Sequence, residues 1–193
     1  MVDLLLIFIG SALVNNFLLS RFLGICSFLG VTTNLKSAAG MGAAVTFVLS
    51  ITSILVWFIQ YYILEPLGLT FLQIAAFILV VAVLVQLLEF FIHKRSPALY
   101  EAFGIYLPLI TTNCAILGLA LLIPSKQYDL ISSLVFALGA GGGYTLAMCM
   151  MAGLRQELEF ADIPQSMQGP ALVLLIAGIM AMAFMGFAGL APM

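Results

Sequence analysis

Cys26-Ser-Phe-Leu-Gly30 and Cys114-Ala-Ile-Leu-Gly118 carry one pattern, C-x-x-L-G, 88 positions apart (114 − 26), each inside otherwise apolar sequence. A second pair follows in the same order. Gly40-Met-Gly-Ala-Ala-Val-Thr46 and Gly139-Ala-Gly-Gly-Gly-Tyr-Thr145 both fit G-x-G-[AG]-[AG]-x-T, 99 positions apart (145 − 46). Either match alone is weak. The same order in both halves makes an internal repeat the better account of the chain.

Composition fixes the solvent around that repeat. Of 193 residues 64% are hydrophobic and 7% charged, with mean hydropathy +1.25, whereas a soluble domain carries about 25% charged residues. The chain is therefore expected in lipid. A net charge of −2 and the lack of a basic tract argue against nucleic acid. Three widely spaced cysteines do not make a disulfide framework. The start lacks a signal peptide's basic region and small-residue cleavage site, so Met1 onward is expected to be mature chain. With no linker or low-complexity segment, one integral membrane domain is expected over 1–193, its halves about 1–97 and 98–193.

Charges punctuate the sequence. Residues 4–20, 37–64, 66–88, 102–125, 130–154 and 163–193 contain no Asp, Glu, Lys or Arg, and a helix needs about 20 apolar residues to cross a hydrocarbon core. Six spans are predicted, at roughly 4–32, 39–63, 70–92, 101–123, 129–153 and 170–191. The first is too long for one straight helix, and a break or re-entrant turn near Arg21–Cys26 would shorten it. Lys36, Lys94, Arg95 and Arg155 fall in the first, third and fifth loops, against only Lys126 in the others. Glu157, Glu159 and Asp162 do not offset this, because the orientation rule counts positive residues. Both termini are thus expected outside the cytoplasm.

A repeat of three spans forces its copies into opposite orientations. The predicted fold class is an all-α membrane protein, six transmembrane helices forming two inverted three-helix repeats with helices 1 and 4 broken. Pro108 and Thr111-Thr112-Asn113 precede Cys114, and Arg21 and Gly24 precede Cys26. Inverted copies entering from opposite faces would bring the two thiols together at mid-depth. Two thiols with no His or acidic cluster nearby suit a soft metal centre, and two are half of a four-cysteine site. The plain alternative is a Pro kink and two inert core cysteines.

Other features divide similarly. Cys149 has no counterpart in the first half and is expected to be a core or lipid-facing residue. The Gly139–Gly143 run lacks the Gly-Lys-Ser/Thr of a phosphate loop and is expected to serve close helix packing. Asn15, Asn16, Ser20 and Arg21 are costly in hydrocarbon, so they either carry function or satisfy a broken backbone or a neighbouring protein chain. Gln86 and Glu89 border an ion path or sit at the interface, and His93-Lys94-Arg95 anchors at headgroups.

Leu13-Val-Asn-Asn-Phe-Leu-Leu-Ser-Arg-Phe-Leu-Gly-Ile-Cys26 and Gly104-Ile-Tyr-Leu-Pro-Leu-Ile-Thr-Thr-Asn-Cys-Ala-Ile-Leu-Gly118 closely resemble the RnfA/NqrE membrane-subunit family. So do Gly153-Leu-Arg-Gln-Glu157 and Ala183-Phe-Met-Gly-Phe-Ala-Gly-Leu190, and the likeness runs over essentially the whole chain. Val14-Asn15-Asn16 and the short second loop resemble the Rnf branch more than the sodium-pumping quinone reductase. The resemblance implies a non-independent subunit of a bacterial inner-membrane complex that links ferredoxin and NAD to Na⁺ or H⁺ transport. It also implies a homologous partner of opposite topology, RnfE in Rnf or NqrD in the reductase, with two Cys from each binding a [2Fe-2S] cluster. Those ligands fall on Cys26 and Cys114, and Cys149 matches none. A secondary transporter of a small solute is the alternative function, since inverted repeats suit it equally. A structural subunit without cofactor is a third.

Overall fold

The computed structural model describes residues 2–68, 70–95, 107–158 and 169–189, with 160 and 164. Among these every regular element is helical, as an apolar chain in lipid requires, because a helix satisfies its own backbone. Helix α1 (Val2–Ile9) runs on as a π-helical turn, Gly10–Val14, and the chain leaves the helix at Asn15. Helix α2 is short, Ile25–Val31. Helix α3 (Leu35–Ile59) ends in a second π-helical turn, Gln60–Leu64, and one further turn, Glu65–Leu67. Then come α4 (Gln73–Arg95), α5 (Leu107–Thr111), α6 (Cys114–Ser125), α7 (Leu130–Leu158) and α8 (Pro170–Met185).

Three predicted spans are helices long and apolar enough to cross a membrane: Leu35–Leu64, Pro108–Ser125 and Leu130–Leu158. Shorter apolar helices, Asp3–Val14, Gln73–Leu87 and Pro170–Met185, stand where the other three were expected. The predicted start of span four at 101–106, Glu159, Asp162 and the final residues 190–193 lie outside the described residues.

The centre of the molecule is the contact of α3 with α7. A Cβ on Gly42 would lie 2.6 Å from Thr145 Cγ2, and a Cβ on Gly141 would lie 2.6 Å from Thr46 Cγ2. Position rises on one helix as it falls on the other, so the pair is antiparallel. The contact is also reciprocal, since each half's glycine meets the other half's threonine, which is the signature of a two-fold relation. The hydroxyls of Thr46 and Thr145 face each other at 3.3 Å, and donate back to Gly42 O and Gly141 O at 2.7 and 2.8 Å. The G-x-G-[AG]-[AG]-x-T echo is thus the packing motif of a pseudo-two-fold axis. Glycines of the same run also admit α1 against α7, Gly139 facing Ser11 Oγ and Phe8 O, and Gly143 facing Ala12 O. Close helix packing, the expected role of the run, is what it performs.

Candidate functional site

Both breaks predicted in spans one and four are present, and each is held by an asparagine. The first is longer than expected, because it begins at Asn15 instead of Arg21. Asn16 is fully buried. Its Oδ1 accepts from Leu18 N at 3.0 Å and Leu19 N at 3.4 Å, while its Nδ2 donates to Ala12 O at 3.2 Å and to Gly143 O of α7 at 2.7 Å. Freed backbone inside a membrane must find partners, and one side chain supplies them. Of the two roles considered for Asn16, backbone satisfaction is the one observed. Asn15 is half-buried, and Ser20 and Arg21 are exposed.

The chain then turns through two left-handed residues, Phe22 (φ 54°) and Gly24 (φ 92°), before α2 begins. A Cβ on Gly24 would meet Tyr144 Cε2 at 2.9 Å and Asn113 Oδ1 at 3.3 Å. Glycine is required there by both backbone and space.

The second break is two residues, Thr112 and Asn113. Pro108 lies four residues before it in α5, and its carbonyl accepts from Thr112 N at 3.1 Å and Thr112 Oγ1 at 2.9 Å. Asn113 ends the turn and caps α6, its Oδ1 accepting from Ala115 N at 3.0 Å. Among the described residues its buried Nδ2 has no hydrogen-bond partner.

These breaks converge. Gly24 N–H donates to Cys114 Sγ at 2.9 Å, across 90 positions. Cys26 lies two residues beyond Gly24 in the first turn of α2 and is exposed, while Cys114 opens α6 and is half-buried. Gly118 abuts Leu23, and Gly30 faces Leu109, so each C-x-x-L-G glycine meets a leucine of the opposite approach. Ser27 Oγ donates to Gly24 O at 2.8 Å and pairs with the Tyr144 hydroxyl. Tyr144 is fully buried, about 21 Å from the start of α7 at 1.5 Å per residue. The 29 residues of α7 span about 43 Å, so the segments that carry both thiols stand beside the middle of that helix. The far end of α2 is held by Arg155, whose Nη1 donates to Thr32 Oγ1 at 2.9 Å and Leu29 O at 3.2 Å. A cation suits a helix C-terminus.

The structure therefore brings the Cys26 and Cys114 segments together and leaves Cys149 elsewhere, on a groove of the α3–α7 face with Thr46 and Thr145. No group of three His, Cys, Asp or Glu occurs among the described residues, so the two thiols form no complete metal site by themselves. Sequence reasoning misses Tyr144 and Ser27, and takes Arg155 only as a loop charge. Tyr144 had one signal, a lone hydroxyl-bearing ring in a run of small residues at 139–145. Gln86 is exposed and Glu89 half-buried on α4.

Residues 4–191 match the Rnf-Nqr subunits, described as membrane proteins. The chain belongs to the Rnf-Nqr family. It is 53% identical over 192 residues to the A-type component of an ion-translocating oxidoreductase complex from Syntrophotalea carbinolica, with all of both chains covered. Identity is 51% over 187 residues to the A-type component of a Na⁺-translocating ferredoxin:NAD⁺ oxidoreductase complex from Acetobacterium woodii, covering 97% of each. It is 49% over 190 residues to the A-type component of an ion-translocating oxidoreductase complex from Yersinia enterocolitica, covering 98% of each. The family expected from the asparagine and cysteine stretches is thus the one found. As a member of the Rnf-Nqr family the chain is a membrane protein, in keeping with its apolar helices.

Proposed function

We propose that this Rnf-Nqr protein is the RnfA-type component of an ion-translocating ferredoxin:NAD oxidoreductase in the bacterial inner membrane. Cys26 and Cys114 would hold half of a [2Fe-2S] cluster, completed by two cysteines of an RnfE-like homologous subunit. The observation that carries this is the meeting of two helix starts beside the middle of α7, one thiol hydrogen-bonded by Gly24 N–H and the other exposed. An exposed thiol at that place suits a ligand shared across a subunit interface, and a [2Fe-2S] cluster takes four ligands.

When bound, such a cluster takes up and gives back one electron. The protein's own part is geometry and field. Gly24 N–H places positive charge against the Cys114 sulfur, the type of contact that tunes sulfur ligation. Tyr144 and Ser27 fix Gly24 from one side and Asn113 fixes Cys114 from the other. Phe28 of α2 and Ile116 and Leu119 of α6 are buried in the apolar core. Charge change in such a low-dielectric site is a sufficient lever on the packing of the two halves about Thr46 and Thr145, and so on transport of Na⁺ or H⁺. By the excess of Lys and Arg in the odd-numbered loops, both termini would lie outside the cytoplasm and Lys94 and Arg95 inside.

The reciprocal packing of α3 and α7 would serve a solute transporter as well, and iron separates the two. The test is an EPR spectrum of the chain copurified with its partner subunits. A [2Fe-2S] signal lost in Cys26→Ser and in Cys114→Ser, and weak when the chain is expressed alone, is expected. A complex that purifies without iron, or keeps its signal in both variants, overturns the proposal.

A further inference from the structure

Where α3 passes into its π-helical turn, α6 ends and α7 begins, the molecule holds a cavity of about 570 Å³. Three aromatic rings wall it, Trp57, Tyr61 and Tyr128, and four polar side chains line it, Gln60, Glu65, Gln127 and Asp129. The rings of Trp57 and Tyr61 stack at 5.4 Å with 8° between their planes. Gln60 opens the π-helical turn, a local register shift that recurs at functional sites. Its Oε1 is fully buried and finds no hydrogen-bond partner among the described residues, which is costly for an acceptor.

This lining dictates its occupant. Gln60 Oε1 and the two carboxylates only accept, so a group that meets them brings donors, while Trp57, Tyr61, Tyr128 and Gln127 can donate to acceptors elsewhere on the same ligand. Two acids ask for positive charge, and the ring faces favour a cation. The ring of Tyr128 already takes Lys126 Nζ at 5.7 Å from its centroid. A bare metal ion does not need this volume, which falls in the range of small-molecule sites. Position narrows the choice further. The chain's only tryptophan and several tyrosines gather where apolar helices end, the level at which such rings meet lipid headgroups.

We propose that this cavity binds a primary ammonium group at the membrane surface, that of an ethanolamine phospholipid. Its three N–H donors match Gln60 Oε1, Glu65 and Asp129, and the Tyr61, Tyr128 and Gln127 donors of the same wall suit the phosphate. The site is separate from the thiol pair and stands or falls without it. Soluble amines share the chemistry, so the experiment must tell the two sources apart.

The complex, purified with its partner subunits, is exchanged into vesicles of phosphatidylcholine doped with phosphatidylethanolamine or with phosphatidylglycerol. Retained lipid is then counted by native mass spectrometry. Ethanolamine lipid should be kept over glycerol lipid by about tenfold, the value of one charge-assisted hydrogen bond set. That preference should vanish in the double variant Glu65→Gln, Asp129→Asn. Gln60→Met removes a buried unpartnered acceptor, so it should stay folded while the preference drops. Equal retention of both lipids, or an unchanged preference in both variants, overturns the site. Heat protection by free ethanolamine equal to that by the lipid overturns the lipid as its source.

Discussion

The two breaks that carry the thiols do the same job by different means. The first takes ten residues, Asn15 to Gly24, with two left-handed residues and an asparagine making four hydrogen bonds. The second needs two residues and one cap from Asn113. Yet the helices around them, α3 and α7, obey the two-fold closely, each glycine seated on the other's threonine. The scaffold is symmetric and the site is not. The outcome is one exposed thiol and one half-buried thiol, where strict symmetry would give two alike.

If that contrast is right, removing the two asparagines has unequal cost. Asn16→Ala leaves Leu18 N, Leu19 N and Gly143 O without their partner in an apolar interior. A loss of about 3 kcal/mol is expected, the upper end of the cost of leaving a buried group unsatisfied, seen as poor assembly and a much lower melting temperature in detergent. Asn113→Ser keeps a capping oxygen, so a change within about 0.5 kcal/mol is expected. Equal losses would show that the breaks are equivalent after all.

Gly24→Ala comes next. A left-handed alanine costs about 1–2 kcal/mol, and its Cβ would press on Tyr144 at 2.9 Å, so about 3 kcal/mol in all is expected with overpacking included. Because Gly24 N–H holds the Cys114 sulfur, the variant should also shift the midpoint potential of any centre bound there. A stability loss with an unmoved potential would reduce Gly24 to a hinge.

Much of this was legible in the sequence, and for stateable reasons. Charge-free runs locate the spans because a charge in hydrocarbon is expensive, and the doubled C-x-x-L-G finds the helix starts because they are local words. The extent of the first break was not legible. It depends on Asn16 reaching Gly143, 127 positions away, and no spacing rule announces such a bond. Arg155 is similar. It counted as a loop charge, and its task is to hold Thr32 and Leu29 at the end of α2. The aromatic cavity went unseen because a π-helical turn leaves no periodic trace.

The symmetric part of the comparison predicts paired effects. Gly42→Ala and Gly141→Ala should each cost about 1–3 kcal/mol by overpacking, and by similar amounts, since the distances to Thr145 and Thr46 are alike. Rescue should follow the two-fold. Thr145→Ala should relieve Gly42→Ala and leave Gly141→Ala unrelieved, while Thr46→Ala does the reverse. Double-mutant cycles in the melting of the complex measure this coupling. Rescue without regard to partner would mean that the helices merely slide.

The smallest expected effect falls on the third cysteine. Cys149 is half-buried on the groove beside Thr46 and Thr145, away from the breaks. There a thiol is a small apolar group, and serine is nearly its size. Cys149→Ser should cost at most about 1 kcal/mol, ordinary for one substitution, and should leave the iron content of the complex unchanged. Serine at Cys26 or Cys114 should remove iron while the protein stays in the membrane, because a hydroxyl replaces a thiolate ligand poorly. The three variants differ in one atom each, so what separates them is position. Loss of iron in Cys149→Ser alone would move the centre off the breaks and onto the two-fold groove, leaving the hydrogen bond from Gly24 to Cys114 as packing only.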